Sequence, residues 1–405
     1  MRLVNGSTLR VRHSGLASSA AVGRVAVVGG GLAGLAAAAL LAEDRRWDVT
    51  VFEKGEVFGG RAAETAGEGE HCTRLLLPDY HATRELLSGI PGADGHATVA
   101  DAITRVRRME WGPHGNWIEL DHINRFRASG LSARDHWAIY RQRRQKPIVA
   151  AIHGSNQNTF GSWRQYSPAS VVAMLRNAWQ ADRIFSFPGS TNHFLVAPLL
   201  AHLEALGVEL RAGNAITRID LTESREDVFD AVIIAAFPSD LAALLDASGV
   251  PHRLPRSLRH AHCKVLTIAL DPRECVLATS LPRLYCRAGI AVLLQPHASR
   301  CVVLCTRAES TDDAYVLALV RRFLALEHEV GGVLTRANQA QGEAVWSATM
   351  PKASRVLRDR PAGIWLAGSW LASGYPYDSA ESAIRSARLA VEGLSRAAGN
   401  RLARS

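Results

Sequence analysis

Apolar positions along this 405-residue chain change period several times, and each change marks an element. Val25-Ala26-Val27-Val28 is a continuous apolar run, short enough for a strand buried on both faces. Gly29, Gly31 and Gly34 interrupt it, and an alanine-rich stretch to Ala42 continues with helical character. Val49-Thr50-Val51-Phe52 repeats the buried-strand pattern and ends on Glu53. The run Val25 to Ala42 is 18 residues without a charge, the length of a marginal membrane span. Four glycines among its first ten residues, and charges directly after it, assign it instead to a buried strand and helix.

Further along, residues 78 to 190 mix helical patterns with a basic middle that includes Arg141-Gln142-Arg143-Arg144-Gln145-Lys146. Such a run is a solvated helix face or a contact for a membrane surface or an acidic partner. From Phe194 the spacing of Leu195, Leu199, Leu203 and Leu206 predicts a helix ending at Gly207. Short strands follow at Val208–Leu210 and Ile216–Ile219, then a buried strand over Ala231–Ala236. Alternation returns between Arg256 and Trp346, predicting strands over Cys263–Asp271, Arg283–Gln295 and Cys301–Ala308, with a helix over about Asp312–Glu329. A last strand, Gly363 to Ala367, runs into a glycine turn at Gly368 and a helix reaching about Leu394.

The first strand–glycine–helix–strand unit has the chemistry of a dinucleotide site. Gly29 permits the tight turn, Gly31 lets the backbone approach a pyrophosphate, and Gly34 lets helix and strand pack closely. Helix N–H groups at Leu32 and Ala33, with the positive end of the helix dipole, face the phosphates. Glu53 stands 19 positions after Gly34, where the fingerprint places an acid for ribose hydroxyls.

After Glu53 and Lys54 the chain reaches Gly59-Gly60-Arg61, a second turn whose backbone passes close to a ligand and whose arginine adds a cation. A dinucleotide fingerprint followed by Gly-Gly-Arg resembles the flavin-containing amine oxidase superfamily. That superfamily includes amine oxidases, protoporphyrinogen oxidase and the phytoene desaturase and squalene-associated oxidoreductases. The segment Gly368-Ser369-Trp370, continuing through Asp378-Ser379-Ala380-Glu381-Ser382-Ala383, resembles the superfamily's second cofactor motif, more than 300 positions later. The resemblance implies FAD as cofactor, held by Gly29, Gly31, Leu32, Ala33, Gly34, Glu53, Lys54, Gly59, Gly60, Arg61, Ile216, Ala235, Gly368, Ser369, Glu381, Ser382 and Ala383. Ile216 takes the adenine contact by position, and the N–H groups of Ser382 and Ala383 face the flavin. Binding is expected to be non-covalent and no metal is implied. The resemblance also makes Lys264 a catalytic candidate, placed to hold a water near flavin N5.

Two departures narrow the chemistry that the resemblance implies. Ser369 stands where relatives carry aspartate, which weakens the hold on the flavin half. Ser379 stands where amine oxidases complete an aromatic cage with tyrosine. Together with the desaturase-like segment Phe194–Asp220, these favour an apolar or natural-product substrate and C=C formation. Amine oxidation to C=N, with Lys264, is the alternative, and a non-catalytic lipid or prenyl-protein carrier on the same fold is a third reading.

A net charge of +9 favours anionic partners, and cofactor phosphates are the simplest of these. No zinc finger or base-reading motif accompanies the charge, so nucleic acid is not an expected partner. Six cysteines without a paired or zinc-type spacing suit a reducing cytoplasm. The expected fold is α/β, a Rossmann-type FAD-binding domain interleaved with a substrate domain of antiparallel sheet and helices. Residues 1–23 read as a weakly ordered leader. The FAD-binding domain is expected over 24–77, 191–250 and 356–400, and the substrate domain over 78–190 and 251–355.

Overall fold

The computed structural model describes residues 6–12, 23–64, 67–111, 117–119, 172, 184–222, 228–254, 261–274, 281–287, 290–305, 312–326, 330–340, 350–357, 361, 363–375 and 378–402. The basic run Arg141–Lys146 lies outside the described residues.

A five-stranded, all-parallel sheet forms one layer, with β2 (Gly23–Val28) at its centre. Its order is β16 (Ile364–Leu366), β10 (Ala231–Ile234), β2, β3 (Trp47–Phe52) and β8 (Glu209–Arg211). Val25, Ala26 and Val27 are fully buried, as a strand covered on both faces requires. Helix α1 (Leu32–Glu43) packs beside it with nine buried residues, seven of them from Ala33 to Ala39. A helix apolar on all sides must be enclosed, and here it lies between the sheet and a long helix, α7 (Ala380–Leu402). Helix α2 (His81–Ser88) packs on α7 in turn. A π-helical turn, Asn192–Val196, leads into α3 (Ala197–Ala205), and α4 (Pro238–Ala247) follows β10.

The second sheet has seven strands, in the order β15 (Val333–Ala340), β11 (Ala261–Ala269), β14 (Arg300–Cys305), β13 (Ile290–Gln295), β12 (Arg283–Arg287), β5 (Arg107–Trp111) and β6 (Trp117–Glu119). It is antiparallel except where β12 runs parallel to β5. The expected single strand over 283–295 is a hairpin, and β15 was not legible as a strand. On one face Leu266, Ile268, Val292 and Val303 form a core with helix α5 (Asp313–Leu324), through Val316, Val320 and Phe323. On the other, Val265, Leu293, Val302 and Leu304 join the main core of the parallel sheet. Shorter elements include the pair β4 (Thr104–Arg105) with β7 (Phe185–Ser186) and the helix α6 (Ala353–Val356).

A buried guanidinium on the second sheet also holds the segment over residues 64–70. Arg300 on β14 donates to Gln295 (2.8 Å), Glu64 (3.0 Å) and Glu70 (2.7 Å). Glu70 also accepts from the Thr191 N–H at 2.9 Å, and its own N–H donates to the Thr267 hydroxyl at 2.9 Å.

One expectation is corrected at residues 7–12. Instead of a weakly ordered leader they form β1 (Ser7–Arg12), paired in parallel with β9 (Ile216–Thr222). Leu9 and Val11 enter the core, and Arg12 pairs with Asp230 at 3.3 Å. Alternating apolar positions in a six-residue segment are enough for a strand once a partner edge exists. Leu9→Ala should therefore cost about 2–5 kcal/mol. Urea denaturation of the variant checks this, since a loose leader would show no change.

Candidate functional site

The loop that turns β2 into α1 is shaped by backbone contacts that leave no room for side chains. Gly29 has φ of +111°, and a Cβ there would lie 2.6 Å from the Ala235 carbonyl oxygen. A Cβ on Gly34 would lie 1.9 Å from the Gly29 oxygen. At Gly31 the situation reverses, because the nearest atom to an added Cβ is the Gly60 Cα at 4.0 Å. Gly31 is the N-cap of α1 and no side chain caps that end. The N–H groups of Leu32 and Ala33 therefore open onto free space.

That space is a cavity of about 330 Å³. Its walls come from the β2–α1 turn, the Gly59–Arg61 turn, residues 71–80, the β8–β9 turn, the end of β10 with α4, and residues 368–383. Gly29, Gly31, Leu32, Ala33, Glu53 and Lys54 line one side; Gly59, Gly60, Arg61, Ile216 and Ala235 continue it; Gly368, Ser369 and Ala383 close the far end. Four sequence-selected residues do not line it: Gly34, Lys264, Glu381 and Ser382. Gly34 acts one layer behind, through the close packing just described.

Glu53 accepts hydrogen bonds from Gly30 N–H and Gly55 N–H, both at 2.7 Å. Two N–H donors orient the carboxylate, and a carboxylate has capacity for further donors such as hydroxyls. Lys54 pairs with Asp240 at 2.8 Å on the exposed rim. Deeper in, Arg61 donates to Asp378 (2.8 Å) and to the Ser369 hydroxyl (2.6 Å), and its guanidinium lies 5.2 Å from the Phe237 ring centre. Burial opposes the arginine's charge, but the Asp378 carboxylate outweighs it and raises the pKa. The carboxylate absent at position 369 is thus supplied to Arg61 from position 378.

Three sequence expectations are corrected here. Lys264 shares a face of β11 with Leu266 and Ile268, the face covered by α5, and is ion-paired with Asp313. Successive strand residues point to opposite faces, so Val265 and Thr267 face the parallel-sheet side and Lys264 does not. Glu381 is fully buried and caps α2, accepting from the N–H groups of Ala82 (3.0 Å) and Thr83 (2.9 Å) and from Arg385 (2.6 Å). The Ser382 N–H donates to the Ser379 hydroxyl at 3.1 Å, and the Ala383 N–H to the Ser379 carbonyl at 3.1 Å. With Ser379 N–H donating back to the Ser382 hydroxyl at 2.9 Å, this is a reciprocal capping box. Both N–H groups assigned to the flavin are consumed by the helix's own cap. Those of Ala380 and Glu381, ahead of them, lack intrahelical partners by position.

Residues 71–80 hold side chains that the sequence reading passed over. His71, Cys72, Arg74, Leu75, Leu76 and Tyr80 all line the cavity. His71 is buried, and burial first, then the charges of Arg74, Arg61 and Arg336, push its pKa well below 6.5. Burial likewise raises the Tyr80 pKa, so the phenol stays protonated, and its ring meets Tyr375 edge-on at 5.6 Å. The available signal was position: this segment directly follows the Gly59–Arg61 turn and must lead away from the ligand.

The model of an NAD(P)-binding Rossmann-like domain matches residues 27–88. No curated protein matches the sequence. Among solved structures, the chain is similar to an oxidoreductase from Methanosarcina mazei at 15% identity, covering 91% of this chain and 100% of that one, with TM-score 0.57. It is similar to a putrescine oxidase redesigned in its cofactor binding at 15% identity, covering 98% and 100%, with TM-score 0.55. A CLA-producing fatty acid isomerase from P. acnes is similar at 14% identity, covering 94% and 99%, with TM-score 0.54. The shared feature is the fold.

Two measurements follow from this geometry. Gly34→Ala should destabilise the protein strongly, whereas Gly31→Ala should leave the apo protein's melting nearly unchanged and weaken dinucleotide binding by intruding on the cavity; thermal melts with and without ligand separate the two. For His71, the unfolded chain takes up a proton near pH 6.5 and the folded chain only well below it. Between those values the unfolded state binds more protons, so stability is full above pH 6.5 and falls by about 1.4 kcal/mol per pH unit below it. Denaturation of the apo protein between about pH 6.5 and 5 should show this slope, and His71→Gln should flatten it.

Proposed function

We propose that this chain is an FAD-dependent oxidoreductase that dehydrogenates an apolar or natural-product substrate, forming a C=C bond. The observation that carries the reading is one cavity walled jointly by the uncapped start of α1, Glu53, the Gly59–Arg61 turn and residues 368–383. These residues fit an extended dinucleotide: the open Gly31 cradle with helix N–H donors suits a diphosphate, Glu53 suits ribose hydroxyls, and Ile216 suits the adenine face. Arg61, held by Asp378 and Ser369, suits the flavin half.

Bound FAD would supply a two-electron acceptor, taking a hydride from a substrate carbon while the neighbouring carbon loses a proton. The chain's own part is orientation and exclusion of water. Leu75, Leu76, Tyr80, Phe237 and Trp370 give the cavity apolar walls, which suits an apolar substrate. Asp378 keeps the Arg61 cation in a fixed direction rather than leaving it to solvent. Tyr80, protonated at neutral pH, is available only as a hydroxyl group and not as a phenolate. The position of Lys264 on the α5 face removes the feature that favoured amine oxidation.

Purified protein, as isolated or reconstituted, should show the visible absorption of bound flavin. Anaerobic addition of polyprenes should bleach that absorption and amines should not. A colourless protein that cannot be loaded with FAD overturns the reading, and bleaching by amines alone overturns its C=C part.

A further inference from the structure

Three cationic side chains line the cavity, and two have carboxylate partners: Arg61 with Asp378, and Lys54 with Asp240. The third, Arg74, has none among the described residues. Its Nη2 donates to the Arg61 carbonyl, while its Nε is buried without a hydrogen-bond partner. A guanidinium carries five N–H donors in a planar fork that matches an oxyanion, and leaving one of them buried and unpaired is costly.

The backbone at Arg74 is also held under strain. Its φ is +43°, a left-handed conformation uncommon for a long side chain. The Arg74 carbonyl accepts from the Ser186 hydroxyl at 3.2 Å, and Leu76 two residues on exchanges backbone hydrogen bonds with Phe185 at 2.7 and 2.9 Å. These bonds lock the conformation in place. Strain that the surroundings over-determine, next to a cavity, is where function is found. Among the described residues no carboxylate pairs with Arg74, and the neighbouring His71 lies among the cations of Arg74, Arg61 and Arg336, which together with burial disfavour its protonation.

We infer that Arg74 is the specificity-determining anchor for an oxyanion carried by the substrate, which is therefore an apolar molecule with a carboxylate or phosphoryl group. The apolar body lies against Leu75, Leu76 and Tyr80, which share the same stretch of wall, and the oxyanion completes the donor set that the protein leaves open. This inference rests on the proposed flavin-dependent reading for what happens to the substrate, but not for its binding.

Calorimetric titration of the full-length protein, with and without FAD, tests it using octanoate, octyl phosphate, methyl octanoate and octylamine. Octanoate or octyl phosphate should bind about ten- to a hundredfold more tightly than the ester or the amine. Arg74→Gln should abolish that preference, and Arg74→Asn, which suits a left-handed backbone, should do the same in a chain that melts at or above the wild-type temperature. FAD affinity should stay within about threefold in both variants, which is what assignment of the Arg74 fork to the substrate rather than to the cofactor requires. Equal binding of acid and ester by the wild type, or unchanged acid binding by both variants, overturns the inference. Loss of FAD binding along with acid binding also overturns it, by assigning the cation to the cofactor's own diphosphate. Failure of the wild type to take FAD while octanoate still binds through Arg74 would remove the flavin reading and leave the anchor standing.

Discussion

The approach of α1 to β2 sets the geometry of everything near the cavity. A single methyl group on Gly34 would lie 1.9 Å from the Gly29 oxygen, so the helix rests directly on the backbone of the turn that precedes it. That contact fixes the direction of α1, and with it the direction of the N–H groups at its start. Ala235, at the end of the adjacent strand, reaches within 3.3 Å of the same point, so β10 is part of the same constraint. An enclosed, alanine-rich helix follows from this contact, because larger side chains would lift it off the sheet.

Guanidinium groups then fasten the chain between Gly59 and Arg74. Arg61 ties its start to residues 369 and 378, and Arg300 ties its middle, through Glu64 and Glu70, to the second sheet. Buried ion pairs contribute little net stability, because desolvation offsets their attraction. Their value here is geometric. Each joins segments more than 200 positions apart in sequence and fixes how those segments meet. The cavity wall inherits that precision, including the strained backbone at Arg74.

What could be read from sequence was local in character. The glycine turn, Glu53 and the Gly59–Arg61 turn each express their geometry within a few residues, and the cavity brings them together. Tertiary partners were harder to foresee. Lys264 was misplaced because strand parity cannot be known until a strand's two faces are assigned. Glu381 lies in the right motif, but its buried carboxylate serves the start of α2, nearly 300 positions earlier. Ser382 and Ala383 were credited with free N–H groups that a serine capping box had already used. His71 and Arg74 carry no motif at all, and their significance comes from neighbours that only the folded chain supplies.

The order of strands in the parallel sheet has a consequence for how the chain is made. β2 emerges early, yet one of its neighbours, β10, follows some 200 residues later, and β16, which pairs with β10, comes after a further 130. β1 waits for β9 in the same way. During synthesis on the ribosome, the early strands therefore present open edges and an apolar helix with no lid until residues 364–402 appear. Non-local pairing of this kind slows folding and leaves nascent chains prone to association. The turn from β2 into α1 is therefore among the last parts to be enclosed.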